Sequence, residues 1–313
     1  MNFPVFDLHC DTSDELSGLG SGKVSQLREN KLHIDLQRAG QLPGYAQCFA
    51  CFTTVTDRCD PVDAFEKKLA SIHRELARNE DLIRQAYTAQ EIDENRKNGI
   101  MSAVLTIEGP AGFGFDPELL WDLYQVGFRI SSLGWNEHNP LTGSHVTGGG
   151  LSDLGREYVK EAQRLGMIID VSHISDEGFW DIMDVTDAPI VATHSNCRAL
   201  CSVSRNLTDD MFLAICRTGG VAGINLYPVF LGPQATVDTV CDHVIHFLEL
   251  EPSGKHIALG GDLDGIDTLP NGFCGIQDYP KLAQRLLERG LTESLVYDIF
   301  WNNALGVMKH CCI

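Results

Sequence analysis

The sequence predicts an α/β protein: a (β/α)8 barrel of TIM type with a C-terminal helical extension, in one domain covering residues 1–313. Three observations predict it. Short runs of β-forming residues lie near positions 5, 48, 104, 130, 169, 191, 222 and 258. Most are separated by stretches whose apolar residues recur at spacings of three and four, as on one face of a helix. Residues able to bind metal or move protons stand where the runs end: His9, Glu108, His173, His194 and Asp262. Alternating strands and helices form a parallel sheet, and a closed parallel barrel collects its reactive groups at the C-terminal strand ends.

The first run, near residue 5, ends in Phe6-Asp7-Leu8-His9-Cys10-Asp11, and residues 12–19 read as a short polar helix or loop before a glycine-rich segment. A second buried strand surrounds Cys48. In residues 61–79, Phe65, Leu69, Ile72 and Leu76 share one helix face. The run before Glu108 stops at Gly109-Pro110, a turn signal. Residues 117–125 are helical, and the strand at 128–133 opens into a loop, 134–150, rich in glycine and asparagine. Ser152 or Asp153 caps a helix that Gly166 stops. The next strand presents His173, a helix over 176–183 follows, and the strand at 189–193 presents His194. Thr208 caps a helix to 216, a glycine-rich strand ends near Tyr227, and residues 237–250 are helical. The last strand, 256–260, delivers Asp262 and Asp264. Helices at 279–289 and 292–305 are expected to pack on the outside.

Lysine and arginine total 24 against 43 acidic residues, a net charge of −19. Such a surface repels phosphates, which excludes nucleic acid and a polybasic membrane contact. No apolar run is long enough to span a bilayer and residues 1–5 lack a signal pattern, so a cytoplasmic protein is expected. Eleven scattered cysteines fit reduced thiols. Cys48 and Cys51 fall inside an apolar run and read as core residues. Gly148-Gly-Gly150 lacks a following Lys-Ser or Lys-Thr, so a flexible loop is the better reading than a phosphate cradle.

On an extended strand, residues i and i+2 face the same side, so His9 and Asp11 can converge on one cation. Alone, the pair is as readily a surface loop. Glu108, His173 and His194 give it meaning, since imidazole and carboxylate are zinc ligands and a glutamate's two oxygens can hold two cations. The remaining histidines, His33, His73, His145, His243, His246, His256 and His310, lack that spacing and read as helix or loop residues.

Eight motifs in consistent order resemble the membrane (renal) dipeptidase family, zinc dipeptidases of the amidohydrolase barrel superfamily. They are Asp7-Leu-His-Cys-Asp11, Ile107-Glu-Gly109, Gly150-Leu-Ser-Asp-Leu-Gly155, Leu165-Gly-Met-Ile-Ile-Asp-Val-Ser-His173, Thr193-His-Ser195, Ser204-Arg-Asn206, Asn225-Leu-Tyr227 and Leu259-Gly-Gly-Asp-Leu-Asp-Gly265. The resemblance implies that His9, Asp11 and Glu108 bind one Zn2+ and that Glu108, His173 and His194 bind a second, with Glu108 bridging. It implies hydrolysis of small dipeptides, including those with a C-terminal D-residue, by metal-bound hydroxide. In that scheme Asp262 carries the proton, Arg205 pairs with the substrate's terminal carboxylate and Tyr227 lines the same pocket. It also suggests a homodimer.

One position departs from the family pattern. Leu133-Gly134-Trp135 stands where the membrane enzymes carry Leu-Thr-His, so the histidine that binds the developing oxyanion is absent. His138 is a candidate replacement, set against the simpler reading of a solvated loop residue. Two other functions remain: hydrolysis of another small amide, lactam or ester by the same centre, or a barrel that binds without turnover.

Overall fold

The computed structural model describes residues 3–55 and 59–312. Its sheet contains β1 (Val5–Cys10), β2 (Tyr45–Phe52), β3 (Ile83–Gln85), β4 (Met101–Glu108), β5 (Phe128–Ser132), β6 (Ile168–Asp170), β7 (Ile190–Ala192), β8 (Val221–Ile224) and β9 (Ile257–Leu259). All neighbours pair in parallel, and β2 closes on β4 from Ala46↔Ser102 to Phe52↔Glu108. Without β3, eight strands form a closed barrel, and each contains one of the eight predicted positions. The fold is a (β/α)8 barrel.

β3 was not legible in the sequence, because three residues carry no measurable period. It pairs with Met101–Ala103, the early part of β4, whereas β5 pairs with β4 only from Leu105 onward. The helix Ala89–Lys97 was missed too, although Thr88 and Glu91 form a reciprocal capping box that announces it. Ser152 caps Asp153–Arg164 and Thr208 caps Asp209–Thr218, each hydroxyl accepting from a backbone N–H of the first turn. Each such cap contributes about 1 kcal/mol.

The barrel interior is a compact apolar cluster to which every barrel strand contributes, among them Phe6, Cys48, Val104, Ile130, Val191 and Ala258. Trp301, Ala304 and Met308 pack on this cluster, so the helix Asn303–Cys311 joins the interior core. Asn303 Nδ2 donates to the carbonyls of Gly254 and Ile257 at 2.7 and 2.8 Å, fixing the helix to the start of β9. Tyr279–Glu288, packed beside Val237–Leu250, and Glu293–Tyr297, packed against Tyr279–Glu288, match the picture of terminal helices as an outer layer. Ala86, Ala89 and Ile92 pack on the same interior cluster, so the terminal helix shares the covering of the barrel interior with the helix Ala89–Lys97.

All eleven cysteines are free. Among the described residues no helix is long and apolar enough to cross a membrane.

Candidate metal centre

Five strands deliver the centre at their C-terminal ends. β1 does so through an irregularity: Asp7 pairs with Gln47 but Cys10 with Phe49, so three steps on β1 match two on β2. The extra residue lets Leu8 stay in the interior cluster while His9 also reaches the centre, beside Glu108. Fully buried Asp7 holds this bend by accepting from the backbone N–H of His9 at 3.0 Å and of Gly261 at 3.1 Å, and from the Tyr279 hydroxyl. One carboxylate thereby ties the strand carrying His9 to the strand leading to Asp262.

Glu108 is the last residue of β4, and a turn must follow at once. Gly109 makes it with φ 77°, and a side chain there would collide with the Thr53 carbonyl. His173 and Asp262 also adopt left-handed backbone angles, φ 70° and 58°, where a side chain is strained. The His173 carbonyl is held by the His145 N–H at 2.8 Å, and the Asp262 carbonyl by the Gly265 N–H at 3.2 Å.

His9, Asp11, Glu108, His173, His194 and Asp262 are all buried. Glu108 Oε2 lies 3.3 Å from His9 Nε2, and Oε1 lies 3.0 Å from His173 Nε2 and 3.9 Å from His194 Nε2. Asp11 Oδ2 and Asp262 Oδ1 approach His9 Nε2 at 3.3 and 3.8 Å. The rings of His9 and His194 stack with centroids 3.8 Å apart. Ligand atoms of His9, Glu108 and His194, and those of His9, Asp11 and Asp262, form two sets each compact enough for one ion.

The hydrogen bonds around the rings set their tautomers. His173 Nδ1 faces Asn136 Oδ1 at 2.9 Å, an acceptor, so the ring proton sits on Nδ1. Thr193 Oγ1 gives its proton to Asp170 Oδ2 at 2.5 Å and is left to accept from His194 Nδ1 at 2.7 Å. Both Nε2 atoms then carry lone pairs, yet they stand 3.0 Å apart. Two lone pairs facing one another repel unless a cation takes both. Asp11 Oδ1 is buried without a hydrogen-bond partner, another acceptor awaiting positive charge. The nitrogen and carboxylate donors therefore fit divalent zinc-type ions.

Electrostatics agree. Burial pushes the Asp11 carboxyl well above its ordinary value, reinforced by the neighbouring Glu108 charge. Burial would raise Glu108 too, but the charge of His9 beside it outweighs this and holds Glu108 well below the carboxylate range. Burial would lower His9, but Glu108 and Asp11 raise it well above its usual value. His173 is pushed down to about 3, and His194 well down, by burial and by nearby positive groups. Without a cation, the proton on His9 is the positive charge that the surrounding carboxylates require.

Residues 1–311 match the membrane dipeptidase family, peptidase family M19. The chain belongs to that family. An uncharacterized dipeptidase of Schizosaccharomyces pombe is 38% identical over 216 residues, covering 67% of this chain and 53% of that protein. A solved dipeptidase of family M19 superposes with TM-score 0.89 at 25% identity, covering 100% of this chain and 99% of that one. A metallopeptidase of Rhodobacter sphaeroides, solved with a phosphinate mimic of the dipeptide L-Ala-D-Ala, superposes with TM-score 0.90 at 24% identity, covering 99% and 100%.

The cleft of this membrane dipeptidase family member has a volume of about 260 Å³ and is lined by Asp11, Glu108, His173, Tyr227 and Asp262, with Phe52, Trp135 and Asn136. Trp135 meets the edge of Phe52 at 5.0 Å between centroids. His138 is exposed and is not among the lining residues, so it does not replace the absent histidine. Arg205 is buried; Nη1 donates to Ser195 Oγ at 2.6 Å while Nε and Nη2 have no partner. Asp264, read as a turn residue, has φ 66° but also accepts from Thr12 Oγ1 and the His33 N–H at 2.6 Å each.

Sequence reasoning missed Asp7, Asn136, His145 and Phe52. Asp7 and Asn136 left signals, the first as part of the opening motif and the second as the neighbour of Trp135. His145 left none, because it meets His173 only through the fold.

Proposed function

We propose that this chain is a binuclear zinc dipeptidase acting on small dipeptides, including those with a C-terminal D-residue. One observation carries the reading: Glu108 turns Oε2 toward His9 and Oε1 toward His173 and His194, as a bridge between two ions requires. His9, Asp11 and Glu108 would hold one Zn2+, and Glu108, His173 and His194 the other. When bound, the pair supplies Lewis acidity toward the scissile carbonyl and the attacking water.

The chain's own groups do the rest. Asp262 is fixed by Asn225 Nδ2, which donates to Oδ2 at 2.9 Å. Burial raises its carboxyl above the ordinary value, which suits a group that takes a proton from water and returns it to the leaving amine. Arg205 is not among the residues lining the cleft, but its buried Nε and Nη2 have no partner, and its planar fork would match a substrate carboxylate that reached it. Tyr227 lines the same cleft. The small volume of the cleft favours dipeptides over proteins.

The test is metal analysis with hydrolysis of L,L- and L,D-dipeptides beside N-acyl amino acids and lactams. Two zinc ions per chain, turnover of dipeptides and loss of turnover in Asp262→Asn are expected. Turnover confined to lactams or N-acyl amino acids would replace the dipeptide reading with the wider amidohydrolase one, and retained activity in D262N would remove Asp262 from its role.

A further inference from the structure

Asn136 lies in the loop after β5 and lines the cleft beside Glu108, Trp135 and His173. Its carboxamide oxygen faces two imidazole nitrogens at once, His173 Nδ1 and His145 Nε2, each at 2.9 Å. With its oxygen toward both rings, the amide accepts the proton from His173 Nδ1 and leaves Nε2 free to bind an ion. His145 completes the lock. Its Nδ1 faces Ser204 Oγ at 3.0 Å and its backbone N–H donates to the His173 carbonyl at 2.8 Å, so this ring is held from two sides.

An amide whose oxygen is engaged by two rings has its NH2 directed away from them. Among the described residues, Asn136 Nδ2 has no hydrogen-bond partner, and it is not among the side-chain atoms sealed from solvent. It is a neutral donor with a fixed direction at the edge of the cleft. Asn225 Nδ2 serves Asp262 and the His194 carbonyl, and both ring nitrogens of His145 are occupied; Tyr227 also lines the cleft, but among the described residues its hydroxyl has no hydrogen bond to fix its direction. Trp135 turns its ring against Phe52.

We propose that Asn136 Nδ2 donates a hydrogen bond to the carbonyl oxygen of the scissile amide and strengthens it as that oxygen gains negative charge. A pre-aimed neutral donor stabilises a developing oxyanion without reorganising. Asn136 is then a catalytic residue, while His145 is a positioning residue that acts through it. This rests on the dipeptidase reading above.

Asn136→Asp separates the two ends of the amide, since aspartate keeps an acceptor for His173 and His145 but has no N–H. The zinc-loaded wild type, N136D and His145→Ala are compared for metal content, kcat and KM on one dipeptide, and inhibition by its phosphinate mimic. Expected for N136D are wild-type metal content, a kcat lower by about 10²–10³-fold, KM within about threefold, and a comparable loss of phosphinate affinity. H145A, which removes one anchor without entering the cleft, is expected to show a smaller fall in kcat with normal metal content. The proposal is overturned if N136D keeps kcat within about threefold, or if its loss tracks lost metal and excess zinc restores it. Should N136D fail to fold, H145A with unchanged kcat and unchanged phosphinate affinity overturns it as well. A wild type that neither cleaves dipeptides nor binds the phosphinate defeats the dipeptidase reading and this one together, whereas an active wild type with an unaffected N136D defeats this one alone.

Discussion

The Nε2 atoms of His173 and His194 stand 3.0 Å apart, although each ring already gives its other nitrogen's proton away, one to Asn136 and one to Thr193. The separation makes sense only with positive charge between or beside them. The second layer of contacts, not the ligand list alone, decides that both rings present lone pairs.

Asp170 is therefore expected to control metal affinity without touching the ion. It accepts from the Thr193 hydroxyl at 2.5 Å, from the Thr193 N–H at 2.9 Å and from the Ser172 N–H at 2.9 Å. In Asp170→Asn an amide N–H can meet the Thr193 oxygen, freeing its hydroxyl to turn toward His194 and oppose the Nδ1 proton. Zinc affinity should fall about 10–100-fold, read by competition with a chromophoric chelator. Unchanged affinity would mean that Asp170 does not set the tautomer.

Metal-free protein should lose stability as pH rises past neutrality. The folded-state pKa of His9 is raised, with Glu108 and Asp11 outweighing burial, so its contribution is fully present below the unfolded value near 6.5 and is lost as pH rises through the folded value. Thermal melts of chelated protein between pH 6 and 9 should show this slope, and His9→Gln should flatten it. Calorimetry in buffers of different ionisation enthalpy should show proton release as zinc binds, because the ion displaces the His9 proton.

Arg205 carries a buried charge with two unpartnered N–H groups, and burial pulls its pKa below the usual value. Arg205→Met should raise KM about 10–100-fold for dipeptides with a free C-terminal carboxylate. Its melting temperature should hold or rise, since an uncompensated buried charge is removed. A KM increase of equal size for C-terminally amidated dipeptides would show that the arginine does not read the carboxylate.

Trp301 is almost fully buried against the barrel interior, tilted onto Phe6 at 5.9 Å and covered by the Arg96 guanidinium at 5.2 Å. Trp301→Ala should cost about 3–5 kcal/mol in urea unfolding while leaving metal affinity near wild type, because the cavity opens at the opposite end from the ligands. A loss below about 1 kcal/mol would show that Trp301 does not seal the core.

The eight barrel strands and the rim on which the chemistry gathers were legible because their signals are local, whereas the grouping of His9, Asp11, Glu108, His173, His194 and Asp262 into one site came from the order of the family motifs. Runs of β-formers set strands, spacings of three and four set helices, and a strand's last residue is marked by the glycine or proline after it, as Gly109-Pro110 follows Glu108. β3 was illegible for want of length. The replacement of the absent histidine was illegible for a different reason: His138 is close in sequence but exposed, while the cleft is lined by Asn136.

The sequence by itself determined a parallel barrel, its acidic character and which residue types reach one rim, since these depend on neighbours a few positions away. Only the tertiary structure decided which atom of each side chain faces the centre. The irregularity in β1 that turns His9 inward is held by Asp7 and Tyr279 across 272 positions, and the direction of the Asn136 amide is set by His173 across 37. Orientation at that level comes from hydrogen bonds between distant segments, which exist only once the barrel has closed.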